Sequence, residues 1–246
     1  VWVAGRAASG RRGLHQHPTA GQGWTGHWRD QVGQLILNRP SALHTLSRYT
    51  RVKRLLDVFG AICLLVLTAP VLGLALARVW FDSGVPLFHH RRVVGLGGRE
   101  FYAHKIRTMV VDADGILARD AQLRKQFEVS NKLIADPRVT RVGSRLRQLS
   151  IDELPQLINV LRGEMSLVGP RMLSPGELID WGDSVHLLLS VRPGITGKWQ
   201  VSGRQQLTKA DRVQMDREYV LNLSFREDAS ILLRTIPAVL SRTGAF

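Results

Sequence analysis

Ser150, Asp152, Glu153 and Pro155 stand together at what reads as the start of a helix. Two adjacent carboxylates in a first helical turn meet unpaired N–H groups and the positive end of the helix dipole, so both are expected to stay ionised. Neighbouring helical residues point about 100° apart. One carboxylate can therefore face a phosphorus atom while the other helps to hold a metal. The same pair can also do nothing more than stabilise a helix start. Arg141, Arg145 and Arg147 crowd the approach and favour an anionic ligand. Turns that join glycine to arginine follow: Gly169, Pro170 and Arg171; then Arg192, Pro193, Gly194, Thr196 and Gly197; then Ser202, Gly203 and Arg204. Such turns offer backbone N–H groups and a guanidinium to phosphate oxygens. Taken together, these residues read as a site that handles phosphate.

The element that carries the carboxylates is predicted as a helix over 150–162. Ser150 is its N-cap, Glu153 its capping-box partner and Gly163 its C′ stop. Leu154, Leu157, Ile158 and Leu161 fall on one face. Upstream, residues 58–77 form an apolar run of roughly 20 residues without a charge, long enough for a bilayer helix. Pro70 sits in its middle, where the missing donor predicts a break. Arg51, Lys53 and Arg54 precede the run, and Arg78, Arg91 and Arg92 follow it. Positive flanks on both sides place both ends in the cytoplasm. A helix that enters one leaflet, breaks at Pro70 and returns satisfies length and flanks together; a straight span satisfies only the length. Segments 85–92 and 99–109 read as extended, and 113–128, 143–149, 182–191, 209–222 and 229–241 as helical. The last carries Ile231, Leu232, Ile236, Val239 and Leu240 opposite Arg234 and Arg242, as an interfacial helix does.

The chain of 246 residues has 34 Lys and Arg against 20 Asp and Glu, a net charge of +14. That balance calls for anionic partners: nucleic acid, an acidic membrane surface or phosphorylated substrates. No helix-turn-helix, zinc or stacking motif accompanies it, so nucleic acid is not the expected partner. The single cysteine, Cys63, rules out an internal disulfide and reads as a small buried apolar residue. Residues 1–50 lack periodicity and read as a basic, disordered arm without a signal peptide; order is expected from about Tyr49. The first residue is Val1 rather than Met, so either the true start lies elsewhere or a longer N-terminal region is missing. The organisation expected is an arm over 1–50, a membrane segment over 51–82 and a catalytic region over 83–246. A non-catalytic membrane scaffold would account for the apolar run and the charge, but not for the carboxylate pair among arginines.

From Arg51 to Ser241 the chain resembles the bacterial sugar transferases, the monotopic polyprenol-phosphate phosphoglycosyl transferases. The likeness runs through Lys53, Arg54 and Asp57; Ala69 and Pro70; Phe101, Lys105, Arg107, Thr108 and Met109; and Asp136, Arg138, Thr140 and Gly143. It is densest from Leu149 through Asp152, Glu153, Gln156, Asn159, Gly163 and Ser166 to Arg171. It closes with Arg192 to Gly197, Gln200 to Arg204, Asp216, Tyr219 and Asn222. The resemblance implies an α/β, mainly helical fold: a monotopic membrane protein with a re-entrant helix-break-helix, interfacial amphipathic helices and a catalytic portion on the cytoplasmic face of the bacterial inner membrane. It implies that Asp152 attacks the β-phosphate of a UDP-sugar and expels UMP. The phosphosugar then passes to a polyprenyl phosphate, usually undecaprenyl phosphate, as in the first membrane step of exopolysaccharide synthesis. Glu153 would complete the dyad, with Mg²⁺ held by Asp152 and Glu153, while Lys105, Arg147, Arg171 and Arg204 would contact phosphate. Membrane lipid is a further expected partner, and self-association as a homodimer stays open. Two positions depart from the family pattern. Met172 stands where a second proline is common after Arg171, and Lys198 stands where an aromatic or apolar residue is usual.

Overall fold

The computed structural model describes residues 40–130, 133, 136–203 and 207–241. Most of the expected arm, Arg204 and Arg242 lie outside that description. Helix α1, Pro40–Ser83, begins with proline at its first position, where an N–H would go unused anyway. The helix thus begins before Tyr49 and continues through Pro70. Arg48–Ser83 is long and apolar enough to cross a membrane. Asp57, Ala61, Ala75 and Val79 are buried, and Leu65, Thr68 and Leu72 half-buried, at steps of three and four residues along one stripe. Away from it Phe59, Val66, Leu67, Val71 and Leu74 are exposed. Cys63 is exposed as well, contrary to the expectation of a buried residue, because it falls outside the stripe.

Both halves of α1 rest on the same body. Ala61 and Leu65 join the main core of Val93, Phe101, Leu157, Val160, Leu167 and Tyr219. Leu72, Ala75 and Val79 pack with Ile106 and Leu146. Charged residues before the apolar run anchor it. Lys53 Nζ donates to Asp228 Oδ2 at 2.9 Å, and Asp57 Oδ1 accepts from Leu167 N at 3.0 Å. Arg54 donates to the carbonyls of Val160 and Leu161 at 2.5 and 2.9 Å, near a helix end where carbonyls are open to a further donor.

Strands β1, Phe88–Val94, and β2, Glu100–Ile106, form an antiparallel hairpin in which Lys105 stands opposite His89. Its exit leads to two short helices, α2, Ala113–Arg119, and α3, Ala121–Ser130. The single helix expected there is split at Asp120. Its Oδ1 accepts from the N–H groups of Gln122 and Leu123, each at 2.9 Å, starting a new helix. Helix α4, Arg141–Gln148, is capped by Thr140, and α5 covers Gln156–Arg162. Gly163 ends α5 in the left-handed region at φ 81°, as its C′ position predicts.

Strands β3, Ser166–Val168, and β4, Gly194–Thr196, pair in parallel, which the sequence did not suggest. Between them lie a 3₁₀ stretch, Pro175–Ser184, in which Gly182 is non-helical at φ 47°, and helix α6, Val185–Leu188, which is shorter than the helix expected over 182–191. Helices α7, Lys209–Leu221, and α8, Phe225–Leu240, complete the fold. Ser224 caps α8 four residues before Asp228, so the helix starts earlier than predicted. Ile231 is buried, whereas Leu232, Leu233 and Ile236 are exposed.

Candidate active site

The carboxylate pair does not open an α-helix. Ile151–Glu153 is a 3₁₀ turn, and Ser150 adopts φ 55°, ψ 21° with no side-chain cap. The cause is Pro155, which has no N–H to give the carbonyl four residues back. The chain closes i to i+3 instead, with Glu153 N to Ser150 O at 3.3 Å and Leu154 N to Ile151 O at 3.2 Å. Ser150 is the one non-glycine residue with positive φ among the described residues. A strained residue two positions before Asp152 sets the direction in which the turn enters the interior.

That interior changes the electrostatics. Asp152 is 6% exposed. Burial pushes its carboxyl up to about 6; Glu153 adds to the rise, while Lys105 and Arg147 oppose it. Desolvation thus outweighs the neighbouring cations and lifts the carboxyl, though a value of about 6 still leaves it mostly ionised at neutral pH. Lys105 reaches from β2 to form an ion pair with Glu153 Oε1. Arg147, near the end of α4, donates Nε to Thr108 Oγ1 at 2.7 Å. Burial lowers its pKa, against the opposing effect of Asp152 and Asp136. Behind it, Arg138 clamps Asp136 through Nε at 2.8 Å and Nη2 at 2.7 Å and lies 5.0 Å from the centre of the Phe127 ring.

Sequence reasoning on residue types missed the closeness of Lys105 to Glu153, 48 positions apart. It also missed Thr108, Asp136 and Arg138 as supports; only the resemblance had drawn attention to those segments. Arg141 and Arg145 are exposed rather than turned to the pair. Arg171 belongs to a second cluster. Its backbone N–H donates to Asp216 Oδ2 at 3.0 Å, its Nη2 to Glu177 Oε1 at 3.3 Å, and its guanidinium lies 5.6 Å from the Trp199 ring. The glycine turns do not offer all their N–H groups to a ligand. Gly169 N bonds Thr196 O at 3.0 Å and Gly194 N bonds Pro170 O at 2.9 Å. These glycines permit close backbone approach, for a Cβ on Gly194 would lie 2.1 Å from Gly169 N. Met172 fills the core, and Lys198 pairs with Glu218 at 3.2 Å and Glu227 at 3.7 Å.

No group of three or more His, Cys, Asp or Glu side chains suited to a metal occurs among the described residues. Asp152 with Glu153 fits a cation that shares its ligands with a substrate's phosphates, since Mg²⁺ commonly takes one or two carboxylates plus phosphate oxygens. A buried carboxylate beside a half-buried Lys and Arg suits nucleophilic attack on phosphorus, the cations offsetting charge on the transferring group.

A family model described as bacterial sugar transferase matches residues 48–242. The UDP-galactose-lipid carrier transferase of Erwinia amylovora is 43% identical over 198 residues, covering 79% of this chain and 41% of that protein. Exopolysaccharide production protein ExoY of Sinorhizobium fredii is 41% identical over 198 residues, covering 79% of this chain and 88% of ExoY. The undecaprenyl-phosphate galactose phosphotransferase of Salmonella typhimurium is also 41% identical over 198 residues, covering 79% of this chain and 41% of that protein. The chain thus spans less than half the length of the Erwinia and Salmonella relatives and most of ExoY.

Proposed function

Because the chain belongs to the bacterial sugar transferase family, we propose that it moves a sugar 1-phosphate from a UDP-sugar to undecaprenyl phosphate through a phosphosugar carried on Asp152. In the first step an Asp152 oxygen bonds to the β-phosphorus and the bond to the bridging oxygen breaks, releasing UMP. In the second step a phosphate oxygen of the polyprenyl phosphate attacks the same phosphorus and frees the Asp152 carboxylate. The carrying observation is the buried Asp152 in a turn that also brings the Glu153–Lys105 pair and lies within the electrostatic reach of Arg147. Lys105 and Arg147 hold phosphoryl oxygens beside the nucleophile. Arg204 serves phosphate from the later loops, whereas the guanidinium of Arg171, expected to do the same, is held by Glu177. Asp152 and Glu153 would hold Mg²⁺ with the diphosphate, and the ion would supply charge neutralisation and leaving-group stabilisation.

We place the chain at the cytoplasmic face of the bacterial inner membrane, with α1 re-entrant. Two contacts support this topology. The first half of α1 is tied to α5 and β3 through Arg54 and Asp57, and the second half packs on Ile106 and Leu146. A crossing helix would carry one of those halves away from the body. Exposed Trp80 and Phe81, with rings 4.9 Å apart, lie at one end of α1 as interfacial aromatics do. Exposed Leu232, Leu233 and Ile236 on α8 give lipid a second apolar surface.

The test is UMP release by membranes carrying the chain, with Mg²⁺, undecaprenyl phosphate and a panel of UDP-sugars. Intact-mass measurement without undecaprenyl phosphate should find a phosphosugar adduct, absent from Asp152→Asn. An adduct on that variant at the parent rate would move the nucleophile elsewhere.

A further inference from the structure

Arg147 is held by its neck. Among the described residues, its Nε has one hydrogen-bond partner, Thr108 Oγ1 at 2.7 Å, and its two Nη groups have none. Thr108 is fixed from several sides and is 6% exposed. Its carbonyl accepts from Thr140 N at 3.1 Å, Arg107 N before it bonds Leu87 O at 2.8 Å, and Val110 N after it bonds Arg138 O at 2.9 Å. Helix α4 lies directly on this segment. A Cβ at Gly143 would stand 2.1 Å from Thr108 O and 2.7 Å from its carbonyl carbon. The backbone at Thr108 cannot yield to such a contact, so only glycine lets α4 come this close. Thr140 caps the same turn by accepting from Gly143 N at 2.9 Å.

We propose that Thr108 is a positioning residue for the transfer reaction. Its hydroxyl takes the Nε of Arg147 and leaves the Nη1 and Nη2 edge for a phosphoryl oxygen beside Asp152, with Gly143 setting the separation of helix and strand. This rests on the reading of Arg147 given above. A guanidinium is planar, so fixing Nε fixes the plane of the fork. Without the anchor the partly buried side chain gains rotamers, and misplacement by an ångström at a phosphoryl site costs about 10²-fold in rate.

Four proteins test it in membranes: Thr108→Val, Thr108→Ser, Arg147→Lys and Thr108→Val with Arg147→Lys. Valine keeps the shape of threonine without the acceptor, and serine keeps the acceptor. With a UDP-sugar turned over by the parent and undecaprenyl phosphate as probes, Thr108→Val should lower kcat/KM about 10²-fold. The serine variant should stay within about threefold of the parent, and the double variant should be no worse than Arg147→Lys alone. Thermal midpoints are read in parallel. A valine variant with parental kcat/KM, equal loss in the serine and valine variants, or losses that multiply in the double variant would overturn the proposal. An innocuous Arg147→Lys would overturn it together with the phosphate role of Arg147. The Asp152 adduct is scored separately, so failure of the nucleophile assignment is told apart from failure of this coupling.

Discussion

Asp152 and Asp216 are both buried aspartates beside arginine, yet their surroundings differ in what is left over. Burial raises Asp152 to about 6 and Asp216 to about 7. Among the described residues around Asp152, the Nη groups of Arg147 have no hydrogen-bond partner and Lys105 is paired with Glu153 alone. Around Asp216 the cation is already spent. Arg171 gives its backbone N–H to the carboxylate and its guanidinium to Glu177, and the Trp199 ring has the guanidinium of Arg171 at 5.6 Å and that of Arg212 at 5.2 Å. Glu177 also takes Arg91. A perturbed carboxyl marks burial in both places. A cation with an uncommitted edge beside it is what separates a site prepared for an anion from a packed polar core.

Asparagine at each position is the strongest way to break that distinction. Asp152→Asn should reduce adduct formation and UMP release by about 10³-fold or more while the protein stays folded in the membrane. Asp216→Asn should leave turnover within about tenfold, because asparagine retains an oxygen for the Arg171 N–H. Comparable losses in the two variants would erase the contrast. One step smaller, Arg147→Lys should lower kcat/KM by about 10²-fold, since lysine cannot present two parallel donors. Arg171→Lys should cost clearly less if its fork is mainly bound to Glu177, and the reverse ranking would make the second cluster the main phosphate clamp.

The pH profile sharpens the same contrast. In the proposed reaction Asp152 attacks as the carboxylate, so initial UMP release should climb with pH through about 6 and level off above it. Lys105 is one of the cations that hold that carboxyl down. Lys105→Met should move the rising limb to higher pH as well as slow the reaction. A limb that does not move would mean that Lys105 acts on Glu153 or substrate alone.

How much of this was legible depends on the range of the interaction. The apolar run, the stop at Gly163 and helix α7 follow from patterns within a few residues, and they were read correctly. The turn at Asp152 was misread because Ser150 and Glu153 spell a capping box, while Pro155 removes the donor that an α-helical first turn needs. Two rules conflicted within six residues, and the covalent one won. The pairing of Lys105 with Glu153 depends on how β2 meets the turn, and no periodicity records it. Strands of three residues, such as β3 and β4, are too short to show alternation. The glycines that serve them therefore looked like phosphate-binding turns. Arg204 lies outside the described residues, so its part in the site stays a proposal from the family motif.

The smallest expected effect lies in stability at Asp216. Burial pushes its carboxyl up to about 7 in the folded protein, from an ordinary 3.8, because it penalises the charge more than the Arg171 N–H relieves it. Between those values the folded protein holds a proton that the unfolded chain releases. The stabilisation is thus fully present below 3.8 and is lost as pH rises through about 7. At alkaline pH the parent must keep a charge in the interior, with Oδ1 lacking a partner among the described residues. Asp216→Asn carries no charge at any pH. Its thermal midpoint should match or fall slightly below the parent's at pH 4 and exceed it at pH 8.5, with a crossing between. The expected sign follows from burial alone and needs no catalytic role for Asp216. If the variant is instead less stable than the parent at pH 8.5, the ionised carboxylate is held by more than the Arg171 N–H. The polar core around Trp199 would then be a second charged site, contrary to the contrast with Asp152.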